Sequence, residues 1–555
     1  MMKKIREKIY YNRYLILLLC GLLIVYGYSM FNNRPWYDEL YTYYYFISRG
    51  PVYAAIHWPV PNNHMGYSVL SAVLDIFTNS YIGLRGISVI SSTVSVYLLY
   101  RICKKLKIKQ FFTVIGCFMG SYLVYSLAFQ GRGYALTTMC FLLAVNALVD
   151  IAAGEDRLLS YIIWVCALTW GLYTIASSTY WVIPVCLSGG AYLLMTGKYR
   201  KLFKLIAASV VAALATLSMY SVVWLAIGSN LLCKDSGTAF FGMYQLDVIK
   251  HAPIAAWKTG MQYMLDTPYI QSIDRGDVIT GLWGYFVSLF DQYYAYLHPY
   301  MGIVTCMVYI LSVVVSLSEI IRYISSHKKI KEDADGEREN ETGIMIPVMV
   351  AVFGISIPLM LIIQSVNPYL RVFSFLAVII GFMTYELFKA VFAFFDSRLK
   401  REDRVYDMIE TGIGIVIMFM AVISNVIFTF NFGNDNSFYP IQLADRENDI
   451  YDALKQSAED AYNIDSIYYT DDFQKYVLKF YFDKDPAETS FEEADYVMVS
   501  RALLESSETE EWPMLVYADS FDFEYLDENF ERLTPNKAVY GKKQKENAYF
   551  LYRRR

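Results

Sequence analysis

The sequence predicts a polytopic α-helical membrane protein of about eleven transmembrane helices with a C-terminal extracytoplasmic α/β domain. Composition is the first reason: 56% of the 555 residues are hydrophobic and only 18% are charged, which is too apolar for an ordinary soluble protein. The second is the length of the apolar runs. A hydrocarbon core of roughly 30 Å takes about 20 apolar residues per helix. Such windows fall near 14–31, 84–103, 111–128, 133–152, 160–177, 178–195, 203–228, 300–322, 344–364, 370–394 and 411–430. The third is an abrupt change of composition after residue 430, where 27 Asp and Glu stand against 14 Lys and Arg. A membrane domain over 1–430 and an acidic domain over 431–555 follow.

Along the chain, MMKKIREKIYYNR precedes the first window, which lacks an A-x-A cleavage site and reads as a retained anchor. Lys and Arg then recur in alternate connections: RICKKLKIK, GEDR, GKYRKLFK, SSHKKIKEDADGERE and DSRLKREDR. Basic loops stay on the cytoplasmic side, so the N-terminus is expected inside the cell membrane. An odd number of spans then puts the acidic domain outside. Two outer connections, 32–83 and 229–299, are long and contain the amphipathic pieces HMGYSVLSAVLDIF and GLWGYFVSLFDQYYAYL, suited to lying on the headgroup layer. KKIKEDADGERENE, 328–341, reads as a flexible cytoplasmic linker. In the acidic domain DSIYYT, DYVMVS, PMLVYA and NAYFLYR read as strands and DDFQKYVLKFYF as a helix. All eight cysteines (20, 103, 117, 140, 166, 186, 233 and 306) lie outside the acidic domain, which argues for small buried hydrophobes and no disulfide framework.

Candidate functional residues gather at the outer ends of the windows. Asp38 and Glu39, in RPWYDELY, come about seven residues after the first window; a helix start alone accounts for such a pair. PVPNNHMGYS holds Asn63 and His64 ahead of an amphipathic helix, where His64 reads equally as a cap. FQGRGYAL places Arg132 and Tyr134 at the mouth of the fourth window, and Arg132 could simply snorkel to headgroups. QSVNPYLRVFSF places Asn367, Tyr369 and Arg371 at the start of the tenth, with Arg371 nearly one turn inside its span. Two carboxylates, one His and two Arg at one depth on one face is more than chance placement predicts. Arg binds phosphate through paired hydrogen bonds, and a carboxylate takes a proton from an attacking hydroxyl. A phosphate at headgroup depth on a long lipid tail suits that set.

The ordered motifs YDE, NNHMGYSVL, LRGISVISS, QGRGYAL and NPYLRVFSFL, spread over roughly residues 10 to 430, resemble the GT-C membrane glycosyltransferases. More narrowly, they resemble the group that includes protein O-mannosyltransferases and the aminoarabinose transferase of lipid A. The resemblance implies Asp38 as the catalytic carboxylate with Glu39 in the same site. It implies Arg132, Arg371 and Tyr134 at the donor phosphate, and His64, Asn63 and Tyr369 as substrate-binding residues; Arg85 in LRGIS reads as structural. Two departures stand out. HMGYS replaces the commoner HPPLYY type, and RVFSFL lacks a proline after the Arg.

The expected activity is inverting transfer of a sugar from a polyprenyl-phosphate donor to an extracytoplasmic acceptor: a protein, a lipid or a wall polymer. A polysaccharide ligase or polymerase, or a transporter of envelope precursors, is the alternative. No cofactor is called for; Glu39 and His64 are compatible with a divalent cation, but no zinc-type spacing supports a site. No Walker A or G-x-G-x-x-G fingerprint appears, and an acidic chain argues against nucleic acid.

Overall fold

The computed structural model describes residues 13–57, 63–153, 157–225, 250, 274–330, 341–365, 367–399, 403–431, 450–470, 472–505, 521–540 and 543–555. The chain forms two compact units, Met1–Phe31 with Phe46–Phe432, and Asn32–Tyr45 with Gly433–Arg555. Helices up to residue 431 are α1 (Arg13–Asn32), α2 (Tyr37–Thr42), α3 (Pro51–Ile56), α4 (Met65–Asp75), α5 (Ser80–Lys105), α6 (Phe111–Met119), α7 (Tyr122–Leu127), α8 (Tyr134–Ala152) and α9 (Leu158–Thr174). They continue as α10 (Thr179–Met195), α11 (Tyr199–Leu225), α12 (Arg275–Tyr294), α13 (Met301–Ile330), α14 (Met345–Gln364), α15 (Leu376–Leu399) and α16 (Asp403–Asn431).

Nine helices among the described residues are long and apolar enough to cross a membrane, and the chain is a multi-pass membrane protein. Two of the expected windows take another form. The 111–128 window breaks into α6 and α7, because Ser121 Oγ accepts the Val124 N–H at 3.4 Å and starts a new helix. The other, α9, is apolar but only 17 residues long. The two amphipathic pieces form α4 and the later part of α12. Of the expected linker, residues 328–330 continue α13, and 331–340 lie outside the described residues.

In the membrane unit α8 is buried along almost its whole length, packed between α5 and α9. Small side chains on α5, Ser88, Ser91, Ser92 and Ser95, are all buried and let helices approach closely. The C-terminal end of α8 is capped by cations: Lys201 donates to Ile151 O at 2.7 Å and Lys198 to Ala152 O at 3.2 Å, while Asp150 pairs with Lys105 of α5. Farther round the bundle Lys389 of α15 bridges Glu386, at 2.7 Å, and Glu319 of α13, at 2.9 Å. The seven described cysteines are free; Cys103, Cys140 and Cys306 are buried, Cys20 and Cys166 exposed, and Cys233 lies outside the described residues.

The second unit is built on a five-stranded sheet of order β2-β1-β3-β7-β4, with β1 Ser466–Tyr469, β2 Ala487–Glu488, β3 Tyr496–Ser500, β4 Phe530–Arg532 and β7 Tyr549–Arg554. A separate hairpin joins β5 (Lys537–Tyr540) to β6 (Lys543–Glu546). Strands β1 and β3 run parallel, and helix α18 (Asp472–Phe482), following the short α17 (Ala458–Tyr462), makes the crossover between them. β7 pairs antiparallel with β3, Met498 opposite Leu551. Both faces are covered, so β3 reads as an unbroken apolar run: Tyr496 and Met498 join one core with Tyr549 and Leu551, and Val497 and Val499 join the other with Phe550 and Tyr552. PMLVYA, expected as a strand, lies outside the described residues.

Segment Asn32–Tyr45 belongs to this unit although the chain reaches it directly from α1. Leu40 of α2 is fully buried in the first core, beside Ile450, Leu454 and Val477, and Tyr37, Tyr41 and Tyr44 pack on that core. Tyr44 stacks on Tyr476 of α18 with ring centroids 5.7 Å apart. Arg34 lies 3.9 Å over the Tyr451 ring and donates to Asp452 Oδ1 at 3.2 Å. Burial of these aromatics, more than helix propensity, holds a helix of six residues.

Replacing Lys389 by Met leaves Glu386, whose side chain is 1% exposed, without its cation. Because Lys389 is itself 38% exposed, the cost falls below that of a fully buried pair, at about 1–3 kcal/mol for the group left unsatisfied. Thermal unfolding in detergent is expected to drop clearly for Lys389→Met and much less for Glu386→Gln.

Candidate functional site

Four of the outer-edge residues meet in the membrane unit. His64 immediately precedes α4, and its carbonyl accepts the Ser68 N–H at 2.9 Å, closing the first helical turn. The ring is fixed from two sides: Gly133 N–H donates to Nδ1 at 2.9 Å, and Nε2 lies 3.1 Å from Arg132 Nη2. Such closeness requires glycine at 133. A Cβ there would stand 2.6 Å from Thr174 Cγ2 and 3.2 Å from His64 Nδ1. Burial, and after it the charges of Arg132 and Arg371, push the His64 pKa well below the ordinary value, so the ring is neutral.

The turn that carries Arg132 is pinned from α5. Ser88 Oγ donates to the Gln130 carbonyl at 2.5 Å and lies 3.2 Å from that of Arg132. Ser88 is in turn 3.2 Å from the Tyr67 hydroxyl, which donates to Leu84 O. Tyr134, the first residue of α8, sets its ring edge-on to His64 at 5.2 Å. Its hydroxyl oxygen accepts from Arg371 Nε at 2.9 Å.

Arg371 stands on a 3₁₀ turn, Leu370–Phe373, ahead of α15, and not one turn inside the span as the sequence suggested. Ser365 ends α14 in the left-handed conformation at φ 57°, which redirects the chain. Tyrosine hydroxyls of α12 then hold the segment's carbonyls, Tyr285 on Pro368 at 2.6 Å and Tyr293 on Phe373 at 2.5 Å. Tyr369 lies under the Arg371 guanidinium at 4.7 Å.

His64, Arg132 and Tyr134 are 4%, 3% and 5% exposed, so charges here act in a weakly screened environment. The cluster is rich in hydrogen-bond donors. Arginine only donates, the neutral imidazole keeps one N–H, and the Tyr134 O–H hydrogen finds no acceptor among the described residues. Such a set of donors can take an anion with several oxygens.

Other expected site residues have structural work. Asn63 donates both amide hydrogens, to His57 O at 2.7 Å and Ala54 O at 3.1 Å, and accepts from Ser68 Oγ at 2.7 Å, so its whole amide group braces the loop before His64. Glu39 is 1% exposed and accepts the Trp36 N–H at 3.2 Å, an N-terminal cap for α2. Asp38 lies in the same first turn, half-buried, in the unit that contains α18. Arg85 is fully buried and donates to Met30 O at 2.8 Å, tying α5 to the end of α1. Among the described residues no three His, Cys, Asp or Glu side chains gather as metal ligands. Gly133, Ser88, Tyr285 and Tyr293 were not singled out from the sequence; Gly133 and Ser88 do lie inside the motifs QGRGYAL and LRGISVISS.

No family model matches the chain, and no curated protein matches it in sequence. Its fold is that of the polytopic GT-C class enzymes. The structure is similar to that of ArnT from Cupriavidus metallidurans bound to undecaprenyl phosphate, with a TM-score of 0.50 and 10% identity over 98% of each chain. An oligosaccharyltransferase of Archaeoglobus fulgidus, in complex with Zn and sulfate, matches with a TM-score of 0.46 and 10% identity, covering 87% of this chain and 68% of that one. The archaeal oligosaccharyltransferase AglB from the same organism, with an inhibitory peptide and a dolichol-phosphate, gives 0.46 and 9% over 89% and 70%. At these identities the likeness is one of fold.

Adding the missing Cβ tests the packing behind His64. Gly133→Ala is expected to destabilise the protein by about 1–3 kcal/mol, the usual cost of overpacking. Thr174→Ser, which removes the clashing Cγ2, should recover part of the loss when the two are combined, as read by melting temperature in detergent.

Proposed function

We propose that the chain is a membrane glycosyltransferase that moves a sugar, with inversion, from a polyprenyl-phosphate donor to an extracytoplasmic acceptor. One observation carries the reading: a buried cluster of hydrogen-bond donors, with two guanidinium groups, stands at the starts of α4, α8 and the turn before α15. A lipid phosphate offers several oxygens to such a set of donors. Arg132 and Arg371 hold the donor phosphate, Tyr134 adds its hydroxyl, and Tyr369 keeps the Arg371 guanidinium flat. The GT-C fold and the basic alternate loops support an outward-facing reaction, with the N-terminus in the cytoplasm.

Asp38 orients or deprotonates the acceptor hydroxyl, which attacks the anomeric carbon as the polyprenyl phosphate leaves. Glu39 acts on the same machinery indirectly, by capping the helix that carries Asp38.

General-base catalysis supplies about 10²- to 10⁴-fold. In proteoliposomes supplied with lipid-linked sugars from the source membrane, the wild type should release polyprenyl phosphate with one sugar transferred per lipid. Asp38→Asn should lose that activity by about 10²-fold or more with folding intact; near-normal transfer by this variant would refute the assignment. Arg371→Ala should mainly raise KM for the lipid-linked donor, read from initial rates against donor concentration.

A further inference from the structure

The contact between His64 and Arg132 sets two hydrogen-bond donors against each other. An imidazole ring carries a proton on at least one nitrogen. Gly133 N–H can only donate, and it points at Nδ1 at 2.9 Å, so Nδ1 presents its lone pair and the proton resides on Nε2. Yet Nε2 faces Arg132 Nη2 at 3.1 Å, and a guanidinium nitrogen also only donates. Moving the proton to Nδ1 shifts the clash to the Gly133 backbone. Protonating both nitrogens adds a second clash and a third positive charge. His64 has no other polar partner among the described residues.

We infer that His64 is a neutral hydrogen-bond donor to the lipid-linked phosphate, its Nε2–H sharing one phosphate oxygen with Arg132 Nη2. The inference rests on the glycosyltransferase reading and deepens it. An oxygen placed against both nitrogens turns two opposed donors into two hydrogen bonds, and it leaves the Gly133 contact untouched. The lowered pKa of the buried ring agrees with a donor that stays neutral. A tetrahedral phosphate has further oxygens for the Tyr134 O–H and the Arg371 guanidinium.

The role extends to the chemical step. The bond between the anomeric carbon and the phosphate ester oxygen breaks, and its electron pair stays on the phosphate. The acceptor oxygen bonds to the anomeric carbon and its proton passes to the base. The lipid phosphate thereby gains one negative charge, and an N–H already aimed at it stabilises that charge without reorganisation.

Two amides separate a chemical role from a structural one. Asn at 64 places a carbonyl near the Nδ1 position, where it accepts the Gly133 N–H, and supplies no donor toward Arg132. Gln reaches the Nε2 position and donates there. The probe is decyl phosphate, titrated calorimetrically into the full-length protein in detergent. His64→Gln is expected within about threefold of wild-type affinity, and His64→Asn and His64→Ala at least about tenfold weaker, the worth of a hydrogen bond to a charged group. For lipid-sugar transfer, kcat should fall about 10²-fold in His64→Asn with KM changed much less. Wild-type affinity in His64→Asn, with loss in His64→Gln, would overturn the inference and leave the ring a structural acceptor. If the wild type binds decyl phosphate with the expected pattern yet transfers no sugar, the anion-donor role stands and the glycosyltransferase reading falls. If it transfers sugar and His64→Asn does so equally well, the inference alone falls.

Discussion

The N–H of Gly133 meets Nδ1 of His64, and from that one contact the shape of the cluster follows. It needs a residue without a side chain at 133, which in turn lets the Arg132 turn lie against Thr174 of α9. It fixes which ring nitrogen holds the proton, and so what the ring can offer to a ligand. Because residue 133 directly precedes α8, which is buried along almost its whole length, the ring is referenced to a core helix of the unit. The helix bundle works as a mount for a few polar groups whose positions must not drift.

The same logic applies to Arg371. A guanidinium on a short 3₁₀ turn has little local stability, and the backbone there makes few helical hydrogen bonds. Tyr285 and Tyr293 reach from α12 to the turn's carbonyls and take the place of those bonds. Tyr285 and Tyr293 are therefore more than interfacial anchors: within apolar surroundings each of these two phenols joins a large buried ring to one directional hydrogen bond.

Much of this was legible in the sequence, and the parts that were not share a cause. Apolar length was enough to expect the bundle, and spacing among the windows grouped Asp38, Glu39, His64, Arg132 and Arg371, of which His64, Arg132 and Arg371 meet around Tyr134. Spacing says nothing about where hydrogen bonds end. Asn63 and Glu39 sit in the right loop, yet two backbone carbonyls and the Ser68 hydroxyl take up the Asn63 amide and one oxygen of Glu39 caps Trp36. Hydropathy averaged over a window likewise passes over Ser121, whose hydroxyl divides one expected span into α6 and α7. The strand pattern of DYVMVS was readable because both faces of the sheet are covered, which makes the signal a plain apolar run.

Segment Asn32–Tyr45 folds with the C-terminal unit, its Leu40 buried among residues more than four hundred positions away in sequence. The helix bearing Asp38 is thus shaped by the last quarter of the chain, the part that looks most like an appendage. Two stretches distant in sequence form one compact unit. A chimera that exchanges the acidic domain with that of a related protein must carry Asn32–Tyr45 across with it, or the tyrosines of the retained segment will face a surface they were not cut to fit.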